Sequence, residues 1–258
     1  MNDSQKRHLF YGGTDKGRVR EQNEDSILYC QFAHSEVSLL VVADGVGGHA
    51  GGEVASQLCI QQMHDVVEKA VLQANSGGGY GSQWLSKTLG QAINDANRAI
   101  VKLQQLEPEL EQMATTVVSL LIRENEAALC HLGDSRGYVY AEQQLTQMTE
   151  DHTMLQDMLN EGRIDRQAFE LSPMHHVISQ ALGVNEQPEL EIQNFLLQSH
   201  ARYLLCSDGL TDCVSDAQIQ HILEQCTDPA ECIDDLIVQA NDNGGSDNIS
   251  AVLLFVDE

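Results

Sequence analysis

Short runs of apolar, often β-branched residues that end at an acid or a glycine-rich turn recur along the chain, and each predicts a strand. Phe10 to Asp15, Val41-Val42-Ala43 before Asp44, Tyr203-Leu204-Leu205-Cys206 before Asp208, and Ile249 to Val256 have this form, and Ile27 to Phe32 reads as another strand. Between them, Thr115 to Arg123, Ala127 to Leu132 and Gly137 to Ala141 read as successive antiparallel strands, with Gly133-Asp134-Ser135-Arg136 at the second turn.

Helical spacing takes over elsewhere. From Val54, the recurrence of Ala55, Cys59, Met63, Val66 and Ala70 predicts a helix with one buried stripe, broken at Asn75 to Gly79. A second helix is predicted from about Gln83 to Gln105 on Leu85, Leu89, Ala92, Ala96, Ile100 and Leu103, with Trp84 read as core. Two more are expected over Asp216 to Gln225 and Pro229 to Ala240, the latter with proline in its first turn. The segment from about 149 to 183 is polar and irregular, with a short helix at Thr153 to Glu161 ended by Gly162, and reads as a mobile flap.

Composition narrows the class. A chain of 258 residues with 42% hydrophobic content is expected to form one domain around a large core. No apolar run approaches the ~20 residues that span a bilayer. The polar start, Met1 to His8, lacks a signal-peptide core, so a cytoplasmic location is expected. The formal charge of −25 argues against nucleic acid and anionic membranes as partners and is compatible with cation binding. Seven cysteines, without a C-x-x-C pair, make neither a disulfide scaffold nor a zinc-thiolate site expected. His152, His175 and His176 lack zinc-site spacing. With no coiled-coil or exposed apolar seam, a monomer is expected.

The candidate chemistry lies at the strand ends. Asp44, followed by Gly45-Val46-Gly47-Gly48-His49, offers a carboxylate beside an accessible glycine carbonyl, two oxygen ligands suited to Mg²⁺ or Mn²⁺; alone, the stretch reads equally as a turn before a helix. Asp208-Gly209 repeats that logic, and Asp247-Asn248 precedes the last strand. A sheet that gathered Asp44, Asp208 and Asp247 would set carboxylates against one another, a repulsion that divalent cations relieve. Two cations about 3.5–4 Å apart would activate a water for attack on phosphorus. Arg20 can grip a phosphate bidentately, with Glu24 and Asp25 close behind it; such a segment is also a common surface ion pair. Asp134 is a further candidate ligand, or an acid satisfying its own turn.

Arg20 to Asp25, Asp44 to His49, Gly133 to Arg136, Cys206 to Leu210 and Asp247 to Ser250 occur in the order seen in metal-dependent protein phosphatases, and the chain resembles the bacterial type 2C serine/threonine phosphatases over nearly its whole length. The resemblance implies an α+β fold, a four-layer α-β-β-α sandwich of two antiparallel sheets with flanking helices and a flap. It implies hydrolysis of phosphoserine and phosphothreonine proteins by a water or hydroxide bridging two Mn²⁺ or Mg²⁺ ions, in opposition to a bacterial serine/threonine kinase. Carried over by position, Asp44 bridges the metals, the Gly45 carbonyl binds one, Asp208 and Asp247 complete the inner set, Glu24 holds metal-bound water and Arg20 grips phosphate. Asp134, with Asp208, frames a third, weaker metal site, Asp25 supports the others, and Asn248 stands beside them. Val46 replaces the histidine that animal members carry after Asp-Gly, which leaves His49 or water as the general acid. Ala114 and His176 stand where many relatives have glycine and asparagine. Alternative functions are a silent phosphoprotein-binding module, a phosphatase of small esters, or a phosphatase of a partner-switching regulator.

Overall fold

A computed structural model describes residues 8–47, 51–172, 174 and 177–257. In chain order the strands are β1 (Leu9–Asp15), β2 (Ser26–Gln31), β3 (Val37–Ala43), β4 (Gly45–Val46), β5 (Ala114–Thr115), β6 (Val117–Arg123), β7 (Glu126–Leu132), β8 (Arg136–Ala141), β9 (Gln144–Gln147), β10 (Gln193–Leu196), β11 (Arg202–Cys206) and β12 (Ile249–Phe255). The α-helices are α1 (Gly51–Gln73), α2 (Trp84–Leu106), α3 (Met154–Asn160), α4 (Arg166–Leu171), α5 (Asp208–Thr211), α6 (Asp216–Gln225) and α7 (Pro229–Asp242).

Among the described residues two five-stranded sheets form, one in the order β1-β12-β11-β8-β9 and the other β10-β7-β6-β3-β2, and all their pairings are antiparallel. Three buried clusters separate four layers. Leu40, Val42, Val118 and Leu120 of one sheet meet Tyr203, Leu205, Val252 and Leu254 of the other. The opposite faces of the same strands pack outward. Leu39, Val41 and Leu121 lie under α1 and α2, and Leu204, Ala251 and Leu253 under α6 and α7. Burial on both faces is why β3, β6 and β12 read as continuous apolar runs. Each such Leu, Ile or Val contributes about 1.5–3 kcal/mol by leaving water. The expected α-β-β-α sandwich is therefore the observed one.

The structure corrects several local readings. The α1 stripe runs through Ala55, Cys59, Met63, Val67 and Val71; Val66 and Ala70 sit one position off it and are only partly buried. Strand β8 does not continue the β6–β7 hairpin. Gly133, at φ +106°, turns the chain out of one sheet, and β8 pairs with β9 and β11 in the other. Cys226, at the end of α6, is disulfide-bonded to Cys232 in α7, against the expectation from cysteine spacing. Successive helices bring the two thiols together, which spacing alone does not reveal. Trp84 is partly buried against the α1–α2 cluster.

Antiparallel pairing also decides where the chemistry falls. Asp15 opposes Ile249, Ser26 opposes Ala43, Val42 opposes Val118, Val117 opposes Leu132 and Cys206 opposes Arg136. The loops 16–25, 44–47, 133–135, 207–208 and 246–248 consequently open on the same end of both sheets.

Candidate metal centre

Asp44 follows β3 and is held through its backbone. Its carbonyl accepts from the Thr116 amide at 2.8 Å and the Thr115 hydroxyl at 2.8 Å, and its own amide donates to Thr116 Oγ1 at 3.2 Å. Thr116 Oγ1 also meets Ser135 Oγ at 2.7 Å, tying the Asp44 strand end to the turn that carries Asp134. Both threonines are fully buried, and the sequence reading gave them no such role. Paired hydroxyls at the start of a buried strand are the signal that was available.

Gly45 has no room for a side chain. A Cβ there would lie 2.2 Å from the Gly52 carbonyl oxygen and 2.5 Å from that of Glu24. The first turn of α1 is thereby pressed against the Glu24 backbone, and Ser56 of that helix donates to the Glu24 carbonyl at 2.6 Å. From the other side, the Glu24 amide donates to Asn248 Oδ1 at 2.8 Å. Glu24 is clamped between α1 and the β12 entrance.

Asp208 begins α5 directly after β11, and a Cβ on Gly209 would stand 2.0 Å from the Asn248 carbonyl oxygen, so the Asp208 and Asp247 loops are in contact. Asp25 is buried beneath them. Its Oδ2 accepts from Ser207 Oγ at 2.9 Å, and Ser207 Oγ also accepts from the Ser250 amide at 3.0 Å. Asp247 keeps one oxygen on its neighbour's amide, Asn248 N to Oδ1 at 2.8 Å, and turns the other to Arg20, whose Nη2 is 2.6 Å from Oδ2. Arg20 Nη1 lies 4.0 Å from Glu24 Oε2.

The carboxylates strain against one another. Burial first, then the charges of Asp25 and Asp208 and a side-chain hydrogen bond with Asp208, push the Asp44 carboxyl well above the usual range. Burial, with the Asp208 charge next among the raising causes, brings both Asp25 and Asp134 up to about 7, although Ser250 and Ser207 partly offset the effect at Asp25. Glu24 is raised by burial more than Arg20 lowers it. Burial opposes the Arg20 charge, yet Asp247, Glu24 and Asp44 raise its pKa overall.

A divalent cation fits this donor set. Asp25 Oδ1 and Asp134 Oδ1 are buried and have no hydrogen-bond partner among the described residues. The surrounding groups are hard oxygens, as Mg²⁺ and Mn²⁺ require. Asp44, Asp208 and Asp134 influence one another electrostatically, whereas Asp247 stands toward Arg20. No ready-made arrangement of three or more His, Cys, Asp or Glu ligands is present among the described residues. His49, the candidate general acid, and His176 lie outside the described residues.

The flap segment is fastened beside Asp134. His152 N donates to the Gly133 carbonyl at 3.0 Å, Gly133 N donates to His152 Nδ1 at 3.3 Å, and the His152 and His131 rings stack at 4.4 Å. Burial, then the neighbouring His131, lowers His152 to about 4. Asp151 receives Arg136 in a two-pronged ion pair, with Nη2 to Oδ2 at 2.6 Å. Leu182 returns to Thr115 at the other end of the segment, and Thr153, expected as the first residue of the helix, instead caps α3 (Met154–Asn160), its hydroxyl accepting from Gln156 N.

Two antiparallel sheets thus present buried, mutually repelling acids and an arginine at a common end, an arrangement whose oxygens could hold divalent cations. The protein phosphatase 2C family model matches residues 13–253, and the chain belongs to that family. The serine/threonine protein phosphatase PstP of Mycobacterium tuberculosis is 40% identical over 244 residues, covering 94% of this chain and 44% of PstP, so this chain spans less than half of that relative. Serine/threonine phosphatase Stp of Listeria monocytogenes is 33% identical over 243 residues, 93% of each chain. The crystal structure of the PstP catalytic domain in complex with two manganese ions is similar with a TM-score of 0.79, at 37% identity, over 97% of this chain and 99% of that one.

Proposed function

We propose that the chain is a metal-dependent serine/threonine phosphoprotein phosphatase whose residues 1–258 act as one catalytic domain. The observation that carries this reading is the shared end of the two sheets, where burial and neighbouring charges, that of Asp208 among them, raise the carboxyls of Asp25, Asp44 and Asp134 beside an Arg20–Asp247 pair. Family membership and the relatives' names support phosphoproteins as the substrate class.

In this reading Asp44, the Gly45 carbonyl, Asp208 and Asp247 hold two Mn²⁺ or Mg²⁺ ions, with Glu24 serving the same ions through water and Asp134 with Asp208 framing a weaker third site. When bound, such ions polarise the phosphoryl group and lower the pKa of the attacking water. Arg20 orients the phosphate with its forked donors and neutralises part of its charge. Asp25 stays behind the ligands and keeps the Ser207–Ser250 strand entrance in place through its hydrogen bonds. Thr115 and Thr116 fix the Asp44 backbone so that its carboxylate is presented from a rigid strand end.

No helix among the described residues is long and apolar enough to cross a membrane. A cytoplasmic monomer acting against a serine/threonine kinase is the setting that fits this reading. Comparison of kcat/KM on phosphothreonine and phosphoserine peptides with that on p-nitrophenyl phosphate, all with Mn²⁺, tests the substrate class. Phosphopeptides turned over more efficiently support it; preference for the small ester contradicts it.

A further inference from the structure

We propose that Asn248 is a positioning residue for phosphoryl transfer, holding the Arg20 loop and Glu24 in register with Asp247. The inference rests on the phosphate-gripping role of Arg20 proposed above.

Arg20 lies in the irregular stretch between β1 and β2, where no ladder sets its place, and its side chain is 48% exposed. The Asn248 side chain supplies what a ladder would. It is buried at 4% exposure, and three of its hydrogen bonds go to the backbone on either side of Arg20. Oδ1 accepts from Glu24 N at 2.8 Å, and Nδ2 donates to the Lys16 carbonyl at 2.9 Å and to the Gln22 carbonyl at 2.9 Å. Both amide hydrogens and the carbonyl oxygen are thus committed to one loop. On its backbone side, Asn248 N donates to Asp247 Oδ1, which leaves Oδ2 directed at Arg20 Nη2. One residue therefore fixes the loop, the carboxylate and the angle between them.

Neighbouring contacts reinforce the alignment without replacing it. Arg18 N and Val19 N donate to the Gly245 carbonyl at 2.8 and 3.3 Å, and Gly17, at φ +78°, is packed so closely that a Cβ would sit 2.1 Å from the Asp247 carbonyl oxygen. These bonds end before Arg20, whereas the Asn248 bonds reach past it to Gln22 and Glu24. A guanidinium fork works on a phosphate only if held within roughly 0.5 Å and 10–20° of the productive geometry. Loss of the Asn248 amide should then misplace Arg20 while leaving Asp44 and Asp208 on their own supports.

The test is a double-mutant cycle on the full chain loaded with Mn²⁺, using Asn248→Ala, Arg20→Ala and the combined variant. Calorimetric binding of inorganic phosphate is the first readout, and KM and kcat on a phosphothreonine peptide the second. Asn248→Ala is expected to weaken phosphate binding and raise KM by about ten-fold, comparable to Arg20→Ala. In the Arg20→Ala background it should change neither by more than about two-fold. Asn248→Asp keeps the acceptor for Glu24 N while losing both donors, so it provides the same cycle if the alanine variant does not fold. An effect of its added charge would persist without Arg20; a positioning effect would not. Multiplicative effects, or unchanged phosphate affinity in folded Asn248 variants, overturn the proposal. Phosphate binding that follows the cycle in a wild-type protein without turnover would instead refute the phosphatase reading and leave the positioning role standing.

Discussion

Arg20 Nη2 lies 2.6 Å from Asp247 Oδ2, joining a loop between the first two strands to the entrance of the last one. The pair sets the cation proposed to grip phosphate against a carboxylate that the proposed metal centre also needs. The two functions are therefore separable by mutation. Arg20→Ala removes the phosphate fork and frees Asp247, so kcat/KM should fall about 10- to 100-fold, in line with a charged hydrogen bond of about 1.5–3 kcal/mol. Mn²⁺ affinity, measured by calorimetry, should not fall with it.

Asp25 and Asp134 lead to a pH prediction. Both have folded-state pKa values of about 7 against ordinary values near 3.8, with burial the main cause. A raised carboxyl pKa means the folded state binds more protons than the unfolded one, so that stability is full below about 4 and is lost as pH rises through about 7. His152, lowered to about 4 by burial, acts in the opposite direction, but its contribution is complete above its ordinary value of 6.5. From pH 6.5 to 8 the carboxyls decide the trend. The melting temperature of metal-free protein should fall across that interval, and the increase produced by Mn²⁺ should be larger at pH 8 than at pH 6.5.

Gly209 is expected to tolerate no side chain, because a Cβ would lie 2.0 Å from the Asn248 carbonyl oxygen. In Gly209→Ala the Asp208 and Asp247 loops must separate. A destabilisation on the order of 1–3 kcal/mol is expected from the overpacking, with weakened Mn²⁺ binding. Thermal melting and calorimetry check both.

Thr116→Val keeps shape but removes a hydroxyl that serves Asp44 N and Ser135 Oγ. The buried Asp44 amide loses its partner, at a cost of about 1–3 kcal/mol. Chemical denaturation should show this loss, together with reduced Mn²⁺ affinity.

Much of the architecture is written locally. Strands buried on both faces appear as apolar runs, and runs ending in Asp44 and Asp208 announce where a sheet presents its acids. What escapes has physical reasons. A helical stripe can advance by three or four residues, so Val66 and Ala70 were favoured over Val67 and Val71. Strand β10 is largely exposed and shows no apolar alternation, β9 is short and polar, and α4 is only six residues long. The supports of the site join residues far apart in the chain, such as Ser207 with Asp25 at a separation of 182 and Asn248 with Glu24 at 224. Nothing local marks these pairings, nor the meeting of Cys226 with Cys232.

The most direct test of the account is phosphate release from a phosphothreonine peptide by metal-stripped protein, by the same protein given Mn²⁺, and by Asp208→Asn given Mn²⁺. Turnover that depends on added Mn²⁺ and falls at least about 100-fold in Asp208→Asn is predicted. Turnover by the metal-stripped protein, or full activity in Asp208→Asn, would contradict a carboxylate-held metal centre as the source of hydrolysis.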